Sequence, residues 1–113
     1  MKVFHHSSIS PQVAEGGAIK TKVQWLITKQ IGANNFAMRL FEVEPGGYSP
    51  LHTHPWEHEV FILSGEGNVS EGEKKFDFQP GYVVFVPSNE LHQFRNTGVD
   101  ALRFLCLIPY TEK

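Results

Sequence analysis

The sequence predicts an all-β domain, a sandwich or barrel of short strands with little or no helix. Three observations carry that expectation. Apolar and polar residues alternate with period two along residues 19–27, and further short apolar runs lie between turns. Turn-forming residues recur every eight to twelve positions. No stretch of a dozen residues holds a 3.6-residue apolar period bounded by helix caps.

The elements follow in order. In residues 19–27 (IKTKVQWLI), Ile19, Thr21, Val23, Trp25 and Ile27 share one face, and Lys20, Lys22 and Gln24 share the other. Side chains alternate along an extended chain, so this reads as a half-buried strand. The turn-like residues 32–35 (GANN) lead into an apolar run over 36–44, which the breaker Pro45-Gly46-Gly47 is expected to end. Strands are expected at 58–64 and 68–71, on either side of a turn at 65–67. Residues 71–74 (EGEK) read as a hairpin tip leading into 75–79. Pro80-Gly81 precedes a strand at 82–86, and residues 87–90 (PSNE) interrupt the chain again. Strands at 93–96 and 101–108 flank the turn TGVD. The first 17 residues are either an edge strand or an arm that packs on a partner chain. The expected organisation is one domain over residues 1–113, with a barrel core of about 18–109 and an N-terminal arm over 1–17.

Bulk properties narrow the function classes. A chain of 113 residues has no room for a second core. The net charge of -2 and pI of about 6.3 give no basic footprint for nucleic acid. Lys and Arg are scattered, and no window approaches the roughly 18 apolar residues that span a bilayer, so no membrane partner is expected. The N-terminus, MKVFHHSSIS, lacks the apolar stretch of a secretory signal. The single cysteine, Cys106, excludes an intrachain disulfide and suits a reducing compartment, so a cytoplasmic location is expected.

The chemistry concentrates in residues 52–59, HTHPWEHE, which hold three of the six histidines and two glutamates. His52 and His54 stand at i and i+2. On an extended chain both leave the same face, about 6.5 to 7 Å apart, close enough for imidazoles to tilt onto one ion at about 2.0–2.2 Å. Pro55 cannot continue a ladder, so a fresh strand is expected to begin near His58. His58 and Glu59 are adjacent, and only one of them can face inward. If His58 does, Val60 and Ile62 share its face; if Glu59 does, Phe61 and Leu63 do. Periodicity leaves both open.

The spacing resembles the first motif of the cupin superfamily: a glycine, five residues, H-x-H, three or four residues, a glutamate, six residues, a glycine. Gly46 stands six positions before His52, and Gly65 stands seven after His58, so the spacer places His58 in the family's glutamate slot. The second cupin motif is a glycine, five residues, proline, one residue, glycine, two residues, histidine, three residues, asparagine. Here it reads Gly81-YVVFV-Pro87-Ser-Asn89-Glu-Leu-His92-QFR-Asn96. Every spacing holds. The one departure is Asn89 for glycine, and asparagine is the next best residue for a left-handed turn position.

The resemblance spans about residues 36–108 and implies a cupin jelly-roll barrel (a double-stranded β-helix). The set HTHPWEHE with a late Cys, Cys106, looks like a small subgroup that binds manganese through four histidines, usually as a homodimer. By that match the metal ligands are His52, His54, His58 and His92. Imidazole suits iron, nickel, copper and zinc as well, so the implied cofactor is a divalent transition metal, manganese foremost. Four neutral imidazoles leave the ion's double charge uncompensated, and an octahedral shell leaves two positions open for a small chelating substrate. Ligating imidazoles must be neutral, which implies metal loss below about pH 6.

Other residues have plainer readings beside functional ones. Cys106 is either a buried thiol acting as a small hydrophobe or a catalytic candidate lining the pocket. Arg39 is either an outward charge or an anchor for a substrate carboxylate. Glu57 and Glu59 read as surface charges or hydrogen-bond partners of the ligands, and His5 and His6 as solvated residues near a terminus. Trp56 and Phe94 read as rim or core packing; Tyr48 and Tyr110 have no assignment.

Three functions fit. The first is a metal-dependent, dioxygenase-like oxidoreductase acting on a small organic substrate. The second is a non-redox metal-dependent isomerase or decarboxylase. The third is a small-molecule binding module without turnover.

Overall fold

The computed structural model describes residues 1–110. Nine strands follow one another: β1 (Gln12–Val13), β2 (Ile19–Ile27), β3 (Phe36–Tyr48), β4 (His58–Ser64), β5 (Gly67–Glu71), β6 (Lys74–Phe78), β7 (Val83–Val86), β8 (Gln93–Asn96) and β9 (Leu102–Pro109). Among the described residues the only helical elements are two single 3-10 turns, His6–Ser8 and Lys29–Ile31. No helix among them is long and apolar enough to cross a membrane.

The strands form one curled sheet in the order β6-β5-β8-β3-β9-β4-β7, with β2 on β3 and β1 on β2. Every pairing between these strands is antiparallel. The terminal strands β6 and β7 stand on either side of a cleft of about 370 Å³. The sheet is thus a half-closed barrel with its core on the concave face.

Alternation builds that core. β4 buries His58, Val60 and Ile62 and exposes Glu59, Phe61 and Leu63. β9 buries Leu102, Phe104 and Cys106. Register aligns Val23, Phe41, Phe104 and Ile62 in one row across β2, β3, β9 and β4. Phe104 stacks on Phe41 at 5.2 Å and on Phe94 at 4.8 Å between centroids. Burying each such side chain contributes about 1.5–3 kcal/mol, so this row anchors the two walls to each other.

Two expectations change. Pro45-Gly46-Gly47 does not end its strand; β3 runs on to Tyr48. Thr21 pairs with Val43 and Ile19 with Tyr48, so residues 44–47 bulge opposite Lys20 alone. Gly46 takes φ +82°, and a Cβ on Gly47 would lie 2.7 Å from the Ile19 carbonyl oxygen. The glycines therefore bend a continuing strand, which such bulges do at barrel corners. Gln24, expected on the solvent face of β2, is buried. Its amide donates to the carbonyls of His6 (2.9 Å) and Ile9 (2.7 Å), because the N-terminal segment lies across it.

A candidate metal centre

Two stretches of chain meet at one mouth of the sheet. His52 and His54 lie between β3 and β4, His58 opens β4, and His92 directly precedes β8. The backbones of His52 and His92 form a reciprocal pair, His52 N–H to His92 C=O at 3.2 Å and His92 N–H to His52 C=O at 3.0 Å. Asn89 takes φ +67°, the left-handed conformation its motif position requires. Its N–H donates to the His54 carbonyl at 2.7 Å, tying the second motif's turn to the first motif.

The imidazoles converge. His52, His54 and His92 each offer a ring nitrogen, and the three lie within 4.8 Å of one another, a group that could hold a metal ion. His58 reaches the same point from β4, its Nε2 2.6 Å from Nε2 of His54. Its ring centroid lies 4.4 Å from that of His54 and 5.0 Å from that of His92.

Hydrogen bonds orient the rings. Nδ1 of His54 faces the Trp56 carbonyl at 3.2 Å, and Nδ1 of His92 faces the Glu90 carbonyl at 2.8 Å. A carbonyl accepts, so these nitrogens carry the protons and each Nε2 keeps its lone pair. Two bare ring nitrogens repel at 2.6 Å; the His54–His58 contact requires a proton or a cation between them. Convergent imidazole nitrogens are also a donor set that suits a divalent transition metal.

Burial keeps the rings neutral. Desolvation first, then the neighbouring imidazoles, lowers the His52 pKa from 6.5 to about 4. Desolvation, then the Arg39 charge, lowers that of His58 to about 2. His54 and His92 are also lowered, chiefly by desolvation.

The centre opens into a cavity of about 580 Å³. Val23, Trp25, Phe41, Phe94 and Phe104 give it apolar walls, and residues 12–15 of the N-terminal segment border it. Arg39 faces inward, because register places Trp25, Arg39, Cys106 and Val60 in one row. Its guanidinium lies 4.8 Å from the Phe41 ring centroid and 5.2 Å from that of Trp25. It donates to Cys106 Sγ at 3.1 Å, and Cys106 Sγ lies 2.9 Å from His58 Nδ1. Arg39 Nε is buried without a hydrogen-bond partner among the described residues. Among the described residues the one ion pair is Arg103–Glu42, on the opposite face, so Arg39 has no counter-ion. Burial raises the Cys106 pKa, and Arg39 opposes that shift.

The structure thus brings His52, His54, His58, His92, Arg39 and Cys106 together. Glu59 is not among them; it lies exposed on the outer face of β4, and Glu57 is exposed as well. The parity left open by periodicity falls to His58. Sequence reasoning missed Trp25 and residues 12–15 as cavity residues. Trp25 carried a signal, its place on the Thr21–Val23 face; residues 12–15 carried none. Trp56, expected as packing, stacks flat on His54 at 4.2 Å and 3° between planes.

A curled antiparallel sheet with imidazoles gathered at one mouth defines a β-barrel class with a candidate metal centre. The chain belongs to the cupin family: the cupin domain matches residues 39–108. It is similar to 1-methylthio-D-xylulose 5-phosphate methylsulfurylase of Rhodospirillum rubrum, 41% identical over 71 residues, 63% of this chain and 46% of that one. The chain therefore spans about half the length of that relative. It is 34% identical to the oxalate-binding protein of Thermotoga maritima, over 94% of this chain and 92% of that one. Among solved structures it superposes on the polyketide cyclase RemF of Streptomyces resistomycificus with a TM-score of 0.89 and 34% identity, covering 96% of this chain and 79% of that one.

Proposed function

We propose that this cupin is a metal-dependent, dioxygenase-like oxidoreductase that acts on a small organic anion held between a four-histidine centre and Arg39. The observation that supports it most is a guanidinium with no counter-ion among the described residues, in the wall of the cavity onto which His52, His58 and His92 open. His52, His54, His58 and His92 would hold the ion, with manganese first and iron, nickel, copper or zinc as alternatives. Such an ion would supply Lewis acidity and, for a redox-active metal, a one-electron route to dioxygen. The chain's own residues do the rest. Arg39 fixes a carboxylate or enolate oxygen by charge-assisted hydrogen bonds. Phe41, Phe94, Phe104 and Val23 exclude water around it. Cys106, held by Arg39 and His58, sets the orientation of the His58 ring.

The acid/base supply favours this over isomerisation or decarboxylation without redox chemistry. Glu59 faces away, so the titratable non-ligands at the cavity are few: the buried Cys106 in contact with His58, and Glu15 on the N-terminal border. A non-redox decarboxylation remains the second reading, supported by 34% identity over 103 residues to oxalate decarboxylase OxdC of Bacillus subtilis. Oxygen uptake by metal-loaded protein over a panel of catechols, diketones and oxo-acids separates them. Turnover that depends on metal and not on oxygen sinks the first reading; ligand binding without turnover leaves only a binding module.

We extend the proposal to a homodimer. Phe61, Leu63, Val83 and Phe85 are 44–73% exposed on the outer faces of β4 and β7, an apolar surface of the kind that monomers seldom leave uncovered. A monomer by light scattering would overturn it.

A further inference from the structure

A second cleft lies beside the metal cavity. Its volume is about 490 Å³, and Trp25, Trp56 and Tyr110 supply its aromatic surface. Gln12 and Trp25 line both spaces and so form a shared partition. Nothing in the proposed metal chemistry uses this cleft.

Three observations give it a ligand chemistry. The indole N–H of Trp56 and the hydroxyl of Tyr110 are both buried, and neither has a hydrogen-bond partner among the described residues. Buried donors in folded proteins nearly always have one, so two in a single cleft call for an acceptor from elsewhere. The Trp56 ring is held flat against His54, which fixes its edge relative to the histidine centre. Lys29 lies along the same cleft with its ammonium 4.5 Å from the Tyr110 ring centroid, adding a cation.

We propose that this cleft is a second binding subsite that takes a flat aromatic group bearing oxygen acceptors. It receives the remote end of a ligand whose other end enters the histidine cavity past Trp25. The placement of that other end rests on the preceding reading; the subsite itself does not. Flat rings gain stacking against indole and phenol faces. Oxygen acceptors satisfy Trp56 and Tyr110, and a negative charge on them suits Lys29.

The test uses 1-hydroxy-2-naphthoate as the probe and cyclohexanecarboxylate as the non-aromatic control, titrated calorimetrically into metal-free and zinc-loaded protein. The naphthoate is expected to bind at least tenfold more tightly than the control. The chain has two tryptophans, so a ¹⁵N spectrum shows two indole N–H peaks. The one lost in Trp56→Phe is expected to move downfield as the probe binds. The pair Trp56→Phe and Tyr110→Phe keeps an aromatic ring at each position and removes both donors, and roughly tenfold weaker binding is expected. Unchanged affinity in that double variant, a static Trp56 peak, or no binding to either form overturns the subsite. The two readings fail separately: zinc uptake lost with naphthoate binding intact sinks the metal centre alone, and the converse sinks the subsite alone.

Discussion

The molecule carries histidines in two groups, and only one of them converges as a candidate metal centre. His5 and His6 are adjacent in sequence, their rings 4.6 Å apart, about as close as any pair at the cavity. Yet both are exposed, and each ring turns Nδ1 to a different neighbour, Ser7 Oγ at 2.8 Å and Gln24 Oε1 at 3.1 Å, with no common point between them. The other four come from separate pieces of chain, and at least two of them turn Nδ1 to a backbone carbonyl and Nε2 inward. Proximity of imidazoles is therefore cheap; shared direction is not. Direction comes from carbonyls and turns placed by the whole fold.

That contrast can be broken at several points. The largest effect is expected at His92. His92→Ala, or His52→Ala, removes a ligand and is expected to weaken metal binding by more than about a hundredfold, beyond the loss typical of residues that merely support a ligand. Elemental analysis of untagged protein reads this out, and full metal content in either variant would show that the convergence is not a metal site. Next come His58→Ala and Glu59→Ala. The first is expected to lose metal and the second to keep it, since Glu59 points to solvent. The reverse pattern would remove His58 from the proposed ligand set.

Arg39→Gln ranks third. With no carboxylate partner to strand, it is expected to fold, to keep its metal, and to raise KM for an anionic substrate by about ten- to a hundredfold, the worth of one charge-assisted hydrogen bond. An unchanged KM would make Arg39 a packing residue.

The pH response is fourth. His52 and His58 have folded pKa values of about 4 and about 2, below the unfolded 6.5. Below 6.5 the unfolded chain binds more protons than the folded one, so metal-free protein is expected to lose stability as pH falls from about 6.5 towards 4, and to vary little above 7. The same burial moves expected metal release from about pH 6 towards 4. Thermal melts across pH 4–8 and titrated metal content check both, and half-release at pH 6 or above would contradict the second. The smallest effect is His5→Ala with His6→Ala: metal content is expected to stay the same, and a loss would mean that the terminal segment contributes to the centre.

Much of this was legible in the sequence because its rules are local. The H-x-H spacing places two rings on one face; the period-two run marks β2, and apolar runs between turn signals mark β4 and β9 nearly to their ends. Asn89 could be read as a left-handed residue from its type and place. Less local features were hidden. Arg39 and Cys106 are 67 residues apart, and only the β3–β9 register makes them neighbours. Pro45-Gly46-Gly47 looked like a stop because glycine marks both chain reversals and strand bends, and only the pairing of Ile19 with Tyr48 distinguishes them. Parity at His58 and Glu59 was undecidable from alternation, since Val60 and Ile62 are as apolar as Phe61 and Leu63. The outer face of β4 is itself apolar, which erased the contrast that normally identifies the inside.

The reciprocal backbone pair between His52 and His92 has a kinetic corollary. The residues that present two of the rings also fasten the rim of the barrel, so an ion held there as proposed would clamp the latch that positions it. Escape of the ion and fraying of that rim would become a single event. Amide hydrogen exchange at His52 and His92 should slow in step with occupancy, and a strong chelator should strip the ion no faster than those amides open.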